Sequence, residues 1–135
     1  MSGVFFDSNV LLYTLAQGDP RQPVATSLLA KGGTISVQVL NEFANVAQRK
    51  IKLSWLEVTA ALAAVRVLCA PPLPLTLAIH EAALILAERH QFSLYDALIV
   101  AAALEAGCAT LLSEDLHHGL RVAERLTIQN PFRDV

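Results

Sequence analysis

Val4-Phe5-Phe6-Asp7-Ser8-Asn9-Val10-Leu11-Leu12-Tyr13 is the stretch on which the fold turns. A β-branched and aromatic triplet stops at a carboxylate, and helix formers run from Val10 to Ala16, which reads as strand, turn, helix. The triplet is apolar on consecutive residues, as expected of a strand buried on both faces, and such strands belong to mostly parallel sheets. Asp7 then falls at the carboxyl end of the first strand. That edge is where open parallel sheets bind their ligands.

The rest of the chain repeats the alternation. Asp19-Pro20 starts a second helix, with proline where a missing N–H costs nothing, and Gly32-Gly33 closes it after Lys31. Thr34 to Val37 is a second strand. Gln38 to Lys50 carries Val39, Leu40, Phe43, Val46 and Ala47 at helical spacing, and Trp55 to Ala70 is a further helix rich in Ala and Leu. Pro71, Pro72 and Pro74 break it. A strand at Leu73 to Leu77 is followed by helices at Ala78 to Arg89 and Ser93 to Ala106, the latter ended by Gly107. Thr110 to Leu112 and Leu126 to Ile128 are the last strands, with a helix expected between them. This order predicts an α/β fold, a three-layer α/β/α sandwich with a mostly parallel sheet of four or five short strands. Residues 1–135 are expected to form one domain.

Composition narrows the function classes. Twelve acids against ten bases give a formal charge of -2, so a basic groove is excluded as a global property. Hydrophobic residues make up 54% and charged ones 16%, which excludes disorder and points to large apolar faces, of the kind buried between two copies of a chain. The longest apolar run, Ala97 to Leu104, is far short of the roughly 20 residues a membrane span needs. Asp7 and Asn9 interrupt the apolar start, so no export signal is read. A soluble, cytoplasmic protein is expected. Cys69 and Cys108 lack metal or redox spacing and read as small buried hydrophobes.

Four acids gather at the predicted ligand edge. Asp7 follows the first strand, Asp115 follows the strand at Thr110 to Leu112, and Asp96 opens a helix starting near the same edge. Glu42 sits at the border of its helix's apolar arc and can lean toward that edge. Each also has a purely structural use: Asp7 as a helix cap, Asp96 as the partner of Ser93 in a capping-box spacing, Glu114 and Asp115 on a helix dipole, Glu42 on a solvated face. Eight apolar residues follow Asp96, so its helix is expected to be buried, and a buried carboxylate is costly unless paired or bound to a metal. Converging carboxylates raise one another's pKa unless a cation compensates. Oxygen ligands without a Cys or His pair favour Mg²⁺ or Mn²⁺ and suit phosphoryl chemistry.

With Phe6-Asp7-Ser8-Asn9-Val10-Leu11-Leu12-Tyr13, Gln38-Val39-Leu40-Asn41-Glu42-Phe43, Ser93-Leu94-Tyr95-Asp96-Ala97-Leu98-Ile99, Leu112-Ser113-Glu114-Asp115-Leu116 and Asn130-Pro131-Phe132 in this order, the chain resembles the PIN-domain ribonucleases. Among them it is most similar to the VapC-like toxins of toxin-antitoxin pairs. The resemblance covers nearly the whole chain. It implies that Asp7, Glu42, Asp96 and Asp115 form an acidic catalytic quartet. Asp7, Asp96 and Asp115 would hold Mg²⁺ (or Mn²⁺) directly or through water, and Glu42 would act on the water or a second ion. Ser8 and Asn9 would shape the first loop, and Ser113 would support Asp115. It further implies hydrolysis of RNA by a metal-activated water to leave a 5′-phosphate, a homodimer, and a small antitoxin that blocks the site. Many relatives carry Asp or Asn two residues after the fourth acid; here that position is His117. Glu114 is a candidate substitute ligand for Asp115.

Two other readings fit the same residues. An aspartyl-nucleophile phosphatase also places an acid after its first strand, but wants a second Asp where this chain has Asn9. A catalytically silent PIN-like module would bind RNA or a protein without cutting. His117 and His118 read as solvated loop residues or as phosphate contacts. Arg49, Lys50 and Lys52 form a candidate RNA rail, although the helix dipole alone favours bases at a helix end.

Overall fold

The computed structural model describes residues 3–135. Strand β1 (Gly3–Phe6) ends at the residue before Asp7. Phe5 and Phe6 point to opposite faces of the sheet and both are fully buried, so helices cover both faces. β1 runs parallel to β2 (Cys108–Leu112), with Phe6 opposite Leu112, and β2 runs parallel to β4 (Leu126–Gln129). The two-residue β3 (Arg121–Val122) lies antiparallel on the outer side of β4.

On the other side of β1, Phe5 bridges to Thr34 and Ser36 bridges to Leu73, both in parallel sense. The chain therefore leaves β1 toward one side of the sheet and later returns, as β2, on the other. Strand order reverses between β1 and β2, and the crevice beyond their carboxyl ends is the natural ligand site. Gly33 permits the close approach on the first side, since a Cβ there would stand 2.6 Å from the Phe6 ring and 3.0 Å from the Val4 carbonyl.

Six helices complete the layers: α1 (Ser8–Tyr13), α2 (Arg21–Ala30), α3 (Val37–Arg49), α4 (Trp55–Leu68), α5 (Leu77–His90) and α6 (Leu94–Glu105). α3, α5 and α6 are capped by the hydroxyls of Ser36, Thr76 and Ser93, and α4 by a full capping box between Ser54 and Glu57. α6 is buried from Ala97 to Ala103, packed between α5 and β2, as its apolar run required.

Three expectations fail locally. The strands expected at Thr34 to Val37 and Leu73 to Leu77 shrink to single bridges. Ser36 is already committed to capping α3, while Pro72 and Pro74 have no N–H to give a ladder and Thr76 caps α5. The helix expected between Asp115 and Leu126 is absent. A loop and a tight hairpin replace it, with Ala123 and Glu124 both at positive φ (52° and 58°) and the Arg125 N–H donating to Val122 O at 3.2 Å, as in a type I′ turn. Cys108 is buried, but Cys69 is only half-buried; both are free thiols. Among the described residues no helix is long and apolar enough to cross a membrane.

Candidate active site

The reversal of strand order places Asp7 and Ser113 side by side. The sheet ladder runs straight into the site, because Asp7 N donates to Leu112 O (3.0 Å) and Ser113 N to Gln129 O (2.9 Å). One step further, Ser113 Oγ donates to Asp7 Oδ2 at 2.7 Å and accepts the N–H groups of Asp115 (3.2 Å) and Leu116 (3.3 Å). One buried hydroxyl thus orients the first acid and shapes the turn that presents the last. Asp7 Oδ1 accepts Ser8 N at 2.7 Å, so this carboxylate caps α1 and enters the site at once.

Glu42 reaches the same crevice from α3. Ser8 Oγ donates to Glu42 Oε1 (3.0 Å) and Gln38 Nε2 to Glu42 Oε2 (3.1 Å). Asn9 ties the other flank: its Nδ2 donates to Asp115 Oδ2 at 3.1 Å, with longer contacts to Asp7 Oδ2 and Ser113 Oγ (both 3.4 Å), while its Oδ1 accepts Glu114 N at 3.1 Å. Asp96 comes from the first turn of α6. It is half-buried rather than enclosed, because the buried part of α6 begins one residue later. Asp115 is exposed and sits in a loop instead of a helical turn.

The electrostatics show that the four converge. Burial pushes the Asp7 carboxyl up to about 7; hydrogen bonds from Ser113 and Ser8 oppose this, and the Glu42 and Asp96 charges add to it. Glu42 is raised by burial and then by Asp96 and Asp115, against its bonds from Gln38 and Ser8. Asp96 is raised by burial, against Ser93, and by Asp115. Among the described residues the ion pairs are those of Arg21 with Asp19 and Glu114, and neither involves any of the four. Among the described residues no ion pair offsets the charge of the cluster.

Glu114 faces elsewhere. It accepts from the Tyr13 hydroxyl and from Arg21 Nη1 (3.0 Å), while Arg21 stacks over the Tyr13 ring at 4.3 Å. Its charge is spent on α1 and α2, which leaves Asp115 as the acid of this loop that faces the cluster. His118 Nδ1 accepts the Asn130 N–H at 2.9 Å and so fixes a turn, whereas His117 lines a cleft of about 430 Å³ with His90, Phe92, Asp96 and Asp115. Gln38 was not singled out in the sequence, although its i, i+4 spacing from Glu42 was a signal. Tyr13 and Arg21 offered none, since their partner Glu114 lies 101 and 93 residues away.

The donor set is all oxygen and anionic, which suits a hard divalent cation. Among the described residues no three His, Cys, Asp or Glu side chains stand in a preformed metal cage. The chemistry fits an ion; the spacing is that of an open cluster.

A crevice of this kind at a strand-order reversal can be compared with known proteins. No curated protein sequence matches the chain. Solved structures do match in fold: a toxin-antitoxin complex from Klebsiella pneumoniae (19% identity, 96% of this chain and 98% of that one, TM-score 0.70); a DNA-bound VapBC from Salmonella typhimurium (18%, 97% and 99%, 0.69); and VapC20 of Mycobacterium tuberculosis, a toxin cleaving the sarcin-ricin loop (23%, 80% and 86%, 0.66). The PIN domain family model matches residues 4–124, a span that contains all four acids. By that match, and by a sheet that delivers its acids to one edge, the chain belongs to the PIN-domain family.

Proposed function

We propose that the chain is a metal-dependent endoribonuclease and the toxin of a toxin-antitoxin pair. The observation that carries this reading is the convergence of Asp7, Glu42, Asp96 and Asp115, drawn from four separate segments, with none of them in an ion pair among the described residues. Support for a nuclease comes from the family, and support for a toxin from the VapC and VapBC folds. In this reading Asp7, Asp96 and Asp115 hold Mg²⁺ or Mn²⁺. A bound divalent ion would lower the pKa of a water and offset charge on the phosphate and the leaving oxygen.

The protein's own groups do the rest. Ser8 and Ser113 lock the Asp7 carboxylate, Asn9 steadies Asp115, and Gln38 and Ser8 hold Glu42 at the crevice as acceptor for the water's proton. Glu114 has no part in ion binding, being neutralised by Arg21. The partners are an RNA substrate, a small antitoxin and a second copy of the chain, in the cytoplasm. The exposed Leu56, Val67 and Leu77, each more than 70% accessible, supply apolar surface for the protein partners.

The test is incubation of purified protein with total RNA under Mg²⁺, Mn²⁺ or chelator, with the cut ends mapped. Discrete cuts bearing 5′-phosphates, absent with chelator, are expected. Cleavage undiminished by chelator contradicts the reading, as does a covalent phosphate trapped on Asp7.

A further inference from the structure

We infer that the outer stripe of α3, with Tyr95 facing it, is a track that leads single-stranded RNA into the acid cluster. This rests on the ribonuclease reading above and names the part of the surface that grips the strand.

Asn41, Asn45 and Arg49 follow one another at four-residue spacing, so they lie in a row along one face of the helix, about 6 Å apart along its axis. All three are exposed. The row begins beside Glu42: a cleft of about 340 Å³ is lined by Gln38, Asn41, Glu42, Asn45 and Tyr95. It continues through Asn45, which is shared with a second cleft of about 350 Å³ lined also by Val46, Arg49 and Lys50. The two clefts adjoin at Asn45 and together follow α3 from a candidate catalytic acid, Glu42, to two cations, Arg49 and Lys50. From Asn41 to Arg49 the groove runs on the order of 12 Å, room for about two nucleotides of extended strand.

The chemistry along it is graded for a nucleic acid. At the site end Tyr95 is 62% exposed, although the helix it opens is buried from Ala97 onward. An aromatic face at a groove mouth is a stacking platform for any base. In the middle, the amides of Asn41 and Asn45 offer donors and acceptors to base edges. At the far end Arg49 and Lys50 meet phosphate and anchor the strand whose other end enters the acid cluster. Tyr95 and Asp96 are consecutive, yet they line different clefts, the amide groove and the one with Asp115. A base stacked on Tyr95 thus sets its neighbouring phosphate beside the acids. A single strand is the fitting substrate, because base stacking requires unpaired bases.

The test is binding of a labelled single-stranded RNA oligonucleotide, followed by fluorescence anisotropy in chelator so that cleavage plays no part, alongside cleavage kinetics in Mg²⁺. Tyr95→Ala is expected to weaken binding about tenfold and raise KM by a similar factor with kcat held within about twofold, while Tyr95→Phe restores both. The Arg49→Ala/Lys50→Ala double variant is expected to lower the slope of log affinity against log salt by about 1.4. Arg125→Ala, in the hairpin at the opposite end of β4, serves as the charge control. If wild type binds no RNA, if Tyr95→Ala binds like wild type, or if Arg125→Ala lowers the salt slope as much as the double variant, the track is overturned. These outcomes are separable from failure of the ribonuclease reading, which is a loss of cleavage by wild type while binding persists.

Discussion

Ser113 Oγ donates a 2.7 Å hydrogen bond to Asp7 Oδ2 across the point where strand order reverses, linking residues 106 positions apart in sequence. Through that bond the sheet topology becomes chemistry: β1 and β2 are each followed at once by a polar residue, and the two meet in a pocket where Asp7 is only 2% exposed. A carboxylate so enclosed is costly to charge, and the neighbouring acids add to the cost.

That cost gives a pH signature. Folded Asp7 binds its proton more tightly than the unfolded chain does, with a pKa of about 7 against an ordinary 3.8. The ion-free protein therefore loses stability as pH rises from about 4 to about 7, and the loss is complete above that. Glu42 and Asp96, also raised, act in the same direction. Asp7→Asn in chelator is expected to be more stable than wild type at pH 8 by an amount on the order of a few kcal/mol, and so to melt higher, with the difference vanishing near pH 4. Thermal melts across this range check it; a wild-type curve that rises toward pH 8 contradicts it.

The Glu114 and Asp115 pair separates by environment. Asp115→Asn is expected to reduce RNA cleavage by about a hundredfold or more, as loss of an electrostatic group in a site does. Glu114→Gln is expected to stay within about tenfold, with a lowered melting temperature from the weakened Arg21 and Tyr13 contacts. Cleavage assays and melts on the two variants decide this, and a reversed order would move the ion-binding role to Glu114.

Gly33→Ala would drive a methyl group to 2.6 Å from the fully buried Phe6 ring and 3.0 Å from the Val4 carbonyl. A loss of about 1–3 kcal/mol is expected, read as a fall in the denaturant midpoint with an unchanged slope. An unchanged midpoint would mean that the Thr34 segment is not held tightly against β1.

Much of this was legible in the residues. The strand ending at Asp7, the apolar helix after Asp96 and the strand before Ser113 announced themselves because burial on both faces leaves runs with no polar alternation. Glu42 was legible from its place at the edge of an apolar arc, and in the structure it accepts from Ser8 Oγ at the start of α1. The short segments were not. Thr34 to Ser36 pairs through few backbone groups before a cap takes over, and the Ala123-Glu124 turn lacks the glycine or asparagine that normally marks positive φ. The expected helix after Asp115 failed for the same reason: acids at a presumed helix start were answering Asn9, Tyr13 and Arg21, partners that sequence proximity does not reveal.

The central claim, that the four carboxylates act together through a divalent ion to cut RNA, is tested most directly by single-turnover cleavage in Mg²⁺ with wild type and Asp96→Asn, chosen because Asp96 lies at the rim and its amide keeps the same shape. The variant is expected to fold, with a melting temperature in chelator no lower than that of wild type because it sheds a charge whose pKa the fold raises, to lose the Mn²⁺-induced rise in melting temperature that wild type shows, and to cleave at least about a hundredfold more slowly. A variant that cleaves at the wild-type rate, or wild type that cuts equally well without the ion, would contradict it.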